Sequence, residues 1–232
     1  MSMTLYGFSA SNYYNKAKLA LLESGAAFTE HAVYPTDVDK SGSPLKKVPY
    51  LQTAQGMLCE SQVIVDYVAQ TQAGNTLYPA DAFEAAKVRE LCTFLDVHLE
   101  LVARRLYPEA LFGGTVSDGL KASTKKDLLK NIQAFMGLAK FAPFVAGDSF
   151  TAADIAAYTH LPLLRMVGKK IYGEDLFEGY AQFDIRAYLA MLNARPAFAK
   201  TGKDAAAAMA GFNEYVKRAS QAGLEATQSK PA

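Results

Sequence analysis

Lys46-Lys47-Val48-Pro49-Tyr50-Leu51, followed by Met57-Leu58-Cys59-Glu60-Ser61-Gln62-Val63-Ile64, is the stretch on which the fold turns. Val48 to Leu51 and Met57 to Cys59 are short apolar runs on either side of Gln55-Gly56, so together they read as a hairpin. From Ser61 to Thr71 the apolar residues Val63, Ile64, Tyr67 and Val68 recur at helical spacing, which predicts that the hairpin leads into a helix.

Upstream of this unit, Thr4-Leu5-Tyr6-Gly7-Phe8 is β-prone and gives way at Ser9-Ala10-Ser11-Asn12 to a helix-capping segment. An apolar stripe at Ala17 and Leu19-Ala20-Leu21-Leu22 ends at Gly25, the expected stop chemistry. Phe28 to Tyr34 alternates as a second strand, and Pro35 to Pro44 is a polar, breaker-rich loop without an assigned element. The first eighty residues thus read β-α-β, loop, β-β-α. After Leu77-Tyr78-Pro79-Ala80-Asp81 the pattern changes to long helices, expected near 82 to 106, 118 to 139, 151 to 167 and 184 to 194, with a helical tail after Pro196. Thr151-Ala152-Ala153-Asp154 reads as a capping box with Asp in place of Glu, and the polar end from Gly223 to Ala232 reads as frayed. The expectation is an α/β domain over 1–78, a linker over 79–86 and an all-helical domain over 87–232.

Bulk properties narrow the function. The 232 residues carry 24 Lys+Arg against 23 Asp+Glu, and the basic residues are dispersed in pairs such as Lys169-Lys170, so no nucleic-acid partner is expected. Cys59 and Cys92 lack CxxC spacing and read as buried apolar residues, which argues against a zinc site or a disulfide framework. His31, His98 and His160 are isolated and read as surface or satisfied structural residues, so no metal is expected. No basic leader with an apolar run is present, and no stretch approaches the ~20 apolar residues of a membrane span. A soluble protein of the cytoplasm, a reducing compartment, is the reading.

Four local features, in order and spacing, resemble the cytosolic glutathione transferase family from Thr4 to about Lys200. Leu5 to Asn12, leading into Lys16-Ala17-Lys18-Leu19-Ala20-Leu21, is similar to the segment in which a Ser, Cys or Tyr near the first helix contacts the glutathione sulfur. Ser43 to Leu51 resembles the family's "VPxL" element, whose proline follows a cis bond and turns the Val48 backbone toward the ligand. Cys59 to Ile64 is similar to the acid-Ser pair that holds the γ-glutamyl end. Phe144 to Ala156 and Ala194 to Phe198 are similar to landmarks of the helical domain. The chain departs from the pattern where Lys46-Lys47 replaces a glycine before "VP". Its Ser43-Pro44-Leu45-Lys46 run resembles the zeta class, best known for maleylacetoacetate isomerisation, yet that class's double-Ser-Cys signature is absent at Ser11-Asn12-Tyr13-Tyr14.

The resemblance implies a thioredoxin-like domain that binds glutathione as co-substrate, joined to a helical bundle, in a homodimeric detoxification enzyme. A thiol near pKa ~8.5 is mostly protonated at neutral pH, so such an enzyme must first stabilise the thiolate. Ser11 is the expected donor, with Tyr6, Asn12 and Tyr13 as rivals. The implied glutathione contacts are Ser11, Lys47, Val48, Pro49, Glu60 and Ser61. The second, small electrophilic substrate is expected between the domains, beside Phe8, Arg104, Tyr107 and Phe112. Conjugation is the leading reaction. Isomerase or peroxidase activity is the alternative, and a partner-binding member without activity, like the transferase-like domains of elongation factors, is the rival of another class.

Overall fold

Strand β1 (Met3–Gly7) lies at the centre of the first architectural unit because its inward residues, Leu5 and Gly7, are buried while their neighbours are half-buried. The structure, a computed structural model, describes residues 3–72, 74, 77–180 and 183–228, with side chains as far as 218. β1 pairs in parallel with β2 (Phe28–Ala32) and antiparallel with β3 (Tyr50–Gln52), and β3 pairs antiparallel with β4 (Met57–Cys59). The sheet order is β2-β1-β3-β4. The parallel β1–β2 pair needs a crossover, and helix α1 (Asn12–Glu23) supplies it. Register sets Leu5 opposite Leu51 and Leu51 opposite Leu58, a row of leucines across the sheet. Tyr14, Ala17 and Leu21 of α1 and Ile64 and Val68 of α2 (Ser61–Thr71) cluster with Leu5 and Leu51. Burial of each of these larger side chains contributes about 1.5–3 kcal/mol.

Two details differ from the sequence expectation here. β2 ends at Ala32, although the Val33 N–H still reaches Gly7 O at 3.0 Å, and Pro35–Asp37 forms a 3₁₀ turn inside the loop. Cys59 is only half-buried, because β4 is an edge strand; its Sγ faces Gly42 O at 3.3 Å. Cys92 is fully buried, and that burial pushes its thiol up to about 12. Gly7 is required: its φ is +148°, and a Cβ there would stand 2.4 Å from the Tyr14 ring.

The remaining described residues are helical or irregular. Asp81 caps α3 (Ala82–Thr93), accepting from Phe83 N and Glu84 N at 3.0 Å, so helix begins inside the stretch read as 79–86. The single helix expected to 106 is interrupted. A π-helical segment (Phe94–Glu100) leads to α4 (Leu101–Ala103), a 3₁₀ turn (Arg104–Leu106) and α5 (Tyr107–Ala110). Then come α6 (Asp118–Leu138), α7 (Ala152–Tyr172), α8 (Ile185–Asn193) and α9 (Pro196–Gln228). α7 runs past the expected end at 167. Gly168 does not stop it: a Cβ there would stand 3.0 Å from Leu176, so this glycine permits close approach, and Gly173 at φ +75° ends the helix. The polar end from Gly223 is helical as far as Gln228, and 229–232 lie outside the described residues.

Leu91, Leu95 and Leu99 join Ile132 and Phe135 of α6 and Ile155 and Leu161 of α7 in the large core. α1 is shared, since its Leu19 and Ala20 belong to this core and its Ala17 and Leu21 to the sheet's. α7 is anchored by Asp154, which is fully buried: one oxygen accepts from Thr151 N at 2.8 Å, the other from Val145 N at 2.9 Å and Tyr188 Oη at 2.8 Å. With the Thr151 hydroxyl also donating at 3.3 Å, Asp154→Ala strands four donors in the core and should cost about 3 kcal/mol, read as a lower urea midpoint at unchanged slope.

Candidate functional site

The turn after β1 is held by its own backbone and one side chain. Ser11 N donates to Phe8 O at 3.0 Å and Asn15 Nδ2 to Ser9 O at 2.8 Å. Ser11 is the N-cap of α1 in extended conformation, and its Oγ accepts from Tyr14 N at 3.3 Å. Accepting uses a lone pair and leaves the hydroxyl hydrogen available; among the described residues no acceptor takes it. The Asn12 and Tyr13 N–H groups, in the first turn, have no intrahelical acceptor.

The neighbouring donors are committed elsewhere. Tyr6 Oη donates to Gln52 Oε1 at 3.0 Å, and its ring stacks on Tyr50 at 4.6 Å. Tyr13 Oη donates to Glu100 Oε2 at 2.7 Å, and burial together with the Glu100 charge drives this phenol far above its ordinary range. Asn12 Nδ2 reaches both Glu100 Oε1 and His160 Nδ1 at 3.0 Å.

On the other side of the strands the Val48–Pro49 peptide is cis. Lys47 N donates to the buried Ser43 Oγ at 3.1 Å, which ties the exposed Lys47 into the loop leading to β3. Glu60, exposed, has φ +68° and ψ 121°, a conformation that a residue with a side chain adopts at a cost of order 1–3 kcal/mol. Next to it Ser61 opens α2, buried, with no hydroxyl partner among the described residues. No side chain caps α2, whereas Ser11, Asp81, Ser117 and Asp184 cap α1, α3, α6 and α8. Its first amides are therefore free to meet an anion.

The four residues expected around the second substrate divide into two groups. Tyr107 is buried with its hydroxyl on Glu100 Oε1 at 2.9 Å, and the Arg104 guanidinium pairs with Glu100 while lying over the rings of Tyr13 and Tyr107. Phe8 and Phe112 instead meet a common partner, Phe212 of α9, at ring distances of 5.6 and 6.2 Å. Tyr34 completes this patch, packing on Phe8 at 4.8 Å and on Tyr215 at 4.5 Å. Phe212 and Tyr215 were not expected; their spacing of three in an alanine-rich helix was the available signal.

Glu100, Asp96 and His160 were also not anticipated, and His160 is not isolated. Its Nε2 lies 2.9 Å from Asp96 Oδ1, while the other Asp96 oxygen meets the buried Lys16 ammonium. Burial opposes ionisation of both acids. Nevertheless the His160 hydrogen bond and the Lys16 charge hold Asp96, and Arg104 and Tyr13 hold Glu100, below the ordinary carboxylate range. Three or more His, Cys, Asp or Glu residues placed to hold a metal do not occur among the described residues, nor does a helix long and apolar enough to cross a membrane.

The family described as glutathione S-transferase, N-terminal domain, matches residues 5–76. A glutathione S-transferase of Pseudomonas putida is 40% identical over 217 residues, spanning 93% of this chain and 98% of that protein. A Drosophila melanogaster protein described as a probable maleylacetoacetate isomerase is 28% identical over 52% of this chain and 48% of its own. The structure of glutathione S-transferase III in apo form superposes with a TM-score of 0.70 at 25% identity, covering 88% of this chain and 96% of that one.

The depressed Asp96 and Glu100 imply acid sensitivity. Their contribution to stability is complete above the unfolded carboxylate values near ~4 and is lost as pH falls below them through the folded values. The combined variant Asp96→Asn, Glu100→Gln should be less stable at pH 7 and show a flatter decline of unfolding free energy below pH ~4.5, followed by chemical denaturation across pH.

Proposed function

Because the chain belongs to the glutathione S-transferase family, we propose that it catalyses attack of the glutathione thiolate on a small electrophile, with the turn after β1 as the thiol site. The observation that carries this reading is the count of donors: Tyr6, Asn12 and Tyr13 have committed theirs, and Ser11 retains an O–H at the start of α1. A hydrogen bond to a charged group contributes ~1.5–3 kcal/mol, so one such donor lowers a thiol pKa by roughly one to two units. The positive end of α1 adds ~0.3–1 kcal/mol. The thiolate sulfur then forms a bond to the electrophilic centre, and either a leaving group departs with the electron pair or the adduct takes up a proton.

In this reading the γ-glutamyl carboxylate meets the uncapped start of α2 and the Ser61 hydroxyl, while exposed Glu60 pairs with the ammonium. The strained φ of Glu60 supports a binding role, since such conformations gather at ligand sites. Val48, beside cis Pro49, offers backbone groups to the tripeptide, and the exposed Lys47 precedes it in the chain. Phe8, Phe112 and Arg104 border the second substrate, to which we add Phe212; Tyr107 supports Arg104 from below. The Drosophila relative favours a second reading, a glutathione-dependent isomerisation in which the thiol is returned unchanged.

We place this chemistry in the cytoplasm, in detoxification, and in a homodimer, with the division of the chain at 1–78 and 87–232. Outward apolar side chains support the dimer: Phe83 is 69% exposed, and Val63, Val97, Leu101 and Leu129 also face solvent in the single chain. Sedimentation should give twice the mass of one chain; a monomer contradicts the dimer.

Two substitutions test the site. Ser11→Ala should raise the apparent thiol pKa of bound glutathione by about one to two units, and an unmoved pKa removes Ser11 from the mechanism. Ser61→Ala should weaken glutathione binding about tenfold or more at little change in kcat, by calorimetry and steady-state kinetics; wild-type affinity rejects it as a contact.

A further inference from the structure

The first turn of α1 is clamped from the helical part of the chain by groups to which no role has been given. Asn12 and Tyr13 are the first two residues of the helix that Ser11 caps. The Asn12 side-chain nitrogen lies 3.0 Å from Glu100 Oε1 and 3.0 Å from His160 Nδ1. Glu100 is an ionised carboxylate that only accepts, so that nitrogen is the NH₂ of the amide, and one of its hydrogens is given to Glu100. Its second hydrogen points to His160 Nδ1, which must therefore be unprotonated, and the ring hydrogen sits on Nε2 and is donated to Asp96 Oδ1 at 2.9 Å. Asp96 is fixed in turn by the buried Lys16, one turn further along α1. The circuit is closed: α1 binds the π-helical segment through Asn12–Glu100 and Lys16–Asp96, and His160 of α7 joins the two arms.

No buried side-chain nitrogen or oxygen of Asn12, Lys16, Asp96, Glu100 or His160 is left without a hydrogen-bond partner, which favours one arrangement of the clamp. His160 and Glu100 have no exposure. Tyr13, the other residue of the first turn, gives its only hydroxyl hydrogen to the same Glu100. The clamp fixes where the α1 start and the Ser11 hydroxyl stand, and keeps the Asn12 and Tyr13 side chains from taking the place of Ser11 at the thiol.

We propose that His160 is a positioning residue for the thiol site: acting through Asn12, it fixes the first turn of α1 so that the Ser11 O–H and the adjacent backbone amides converge on the glutathione sulfur. The proposal rests on the thiol-site reading given above. It assigns His160 no proton transfer. Its task requires one bare acceptor and one N–H donor at a fixed separation, which a glutamine side chain can mimic and a leucine cannot.

The experiment compares wild type, His160→Leu and His160→Gln in the full chain with glutathione and a chromogenic electrophile, reading kcat, KM for glutathione, the thiolate absorbance of bound glutathione against pH, and thermal midpoint. His160→Leu should lower kcat about tenfold or more and raise the apparent thiol pKa, with KM for glutathione held, since the γ-glutamyl contacts lie on α2. His160→Gln should restore both. If His160→Leu does not fold, Asn12→Ala is read by the same kcat and thiol pKa. A lowered thermal midpoint with wild-type kcat and thiol pKa makes His160 purely structural and overturns the proposal, as does a folded His160→Gln that behaves like His160→Leu. A wild-type protein that neither binds nor ionises glutathione overturns the thiol-site reading itself, which separates the two failures.

Discussion

Glu100 is a carboxylate with no exposure, and a carboxylate in that position sets terms for everything around it. Left alone, a buried charge costs several kcal/mol, and attraction to a single partner seldom offsets that cost. Here Arg104 neutralises it, and Asn12, Tyr13 and Tyr107 saturate its oxygens from separate parts of the chain. These donors can all be supplied only if α1, the π-helical segment and the 3₁₀ turn after it take one mutual placement. Hydrophobic contact between the two cores tolerates small slips. A carboxylate with its lone pairs assigned does not, so the polar contacts fix what the apolar ones only bring together.

α1 bears the consequence most directly, being the helix that both cores share. Its two lysines are fully or almost fully buried, an uncommon state for that residue, and each has acids at its tip. Lys16 meets Asp96, and Lys18 meets both Glu30 and Asp204, the latter on α9. Their aliphatic stems add to the packing while the ammonium groups end on carboxylates. Lys18 and the pair Arg195–Glu23 thus tie the beginning of α9 to α1, and the rest of that helix carries Phe212 and Tyr215 back over Phe8 and Tyr34.

Much of the architecture was legible because it rests on periodicity and punctuation. The strand at Thr4, the hairpin around Gln55-Gly56 and the stop at Gly25 are local signals, and local contacts honour them. The misreadings arose where tertiary context decided. Gly168 sits inside a helix because another segment packs against it, and Cys59 is half-exposed because its strand ended up at an edge. The clamp was hidden for a similar reason. Asn12, Asp96, Glu100 and His160 are separated by as many as 148 positions, and each alone looks like a surface polar residue or a satisfied histidine. Nothing in the spacing of a single helix announces that a carboxylate will be enclosed by groups from other helices.

The two helix starts at the proposed glutathione site meet different demands, and their local chemistry differs accordingly. A carboxylate is charged before it binds, so it needs only waiting donors; α2 leaves its first amides uncapped and places a buried hydroxyl beside them. A thiol near neutral pH must be persuaded to ionise, and the same arrangement without a cap would leave the helix start frayed and its amides poorly aimed. Ser11 meets both conditions with one atom: Oγ accepts from Tyr14 N and orders the first turn, and the hydrogen on that oxygen remains to be given away. Capping and donation do not compete, since one uses a lone pair and the other the O–H bond. They reinforce each other, because a hydroxyl held by the helix it caps has already lost the rotational freedom that a hydrogen bond to sulfur would otherwise have to take from it.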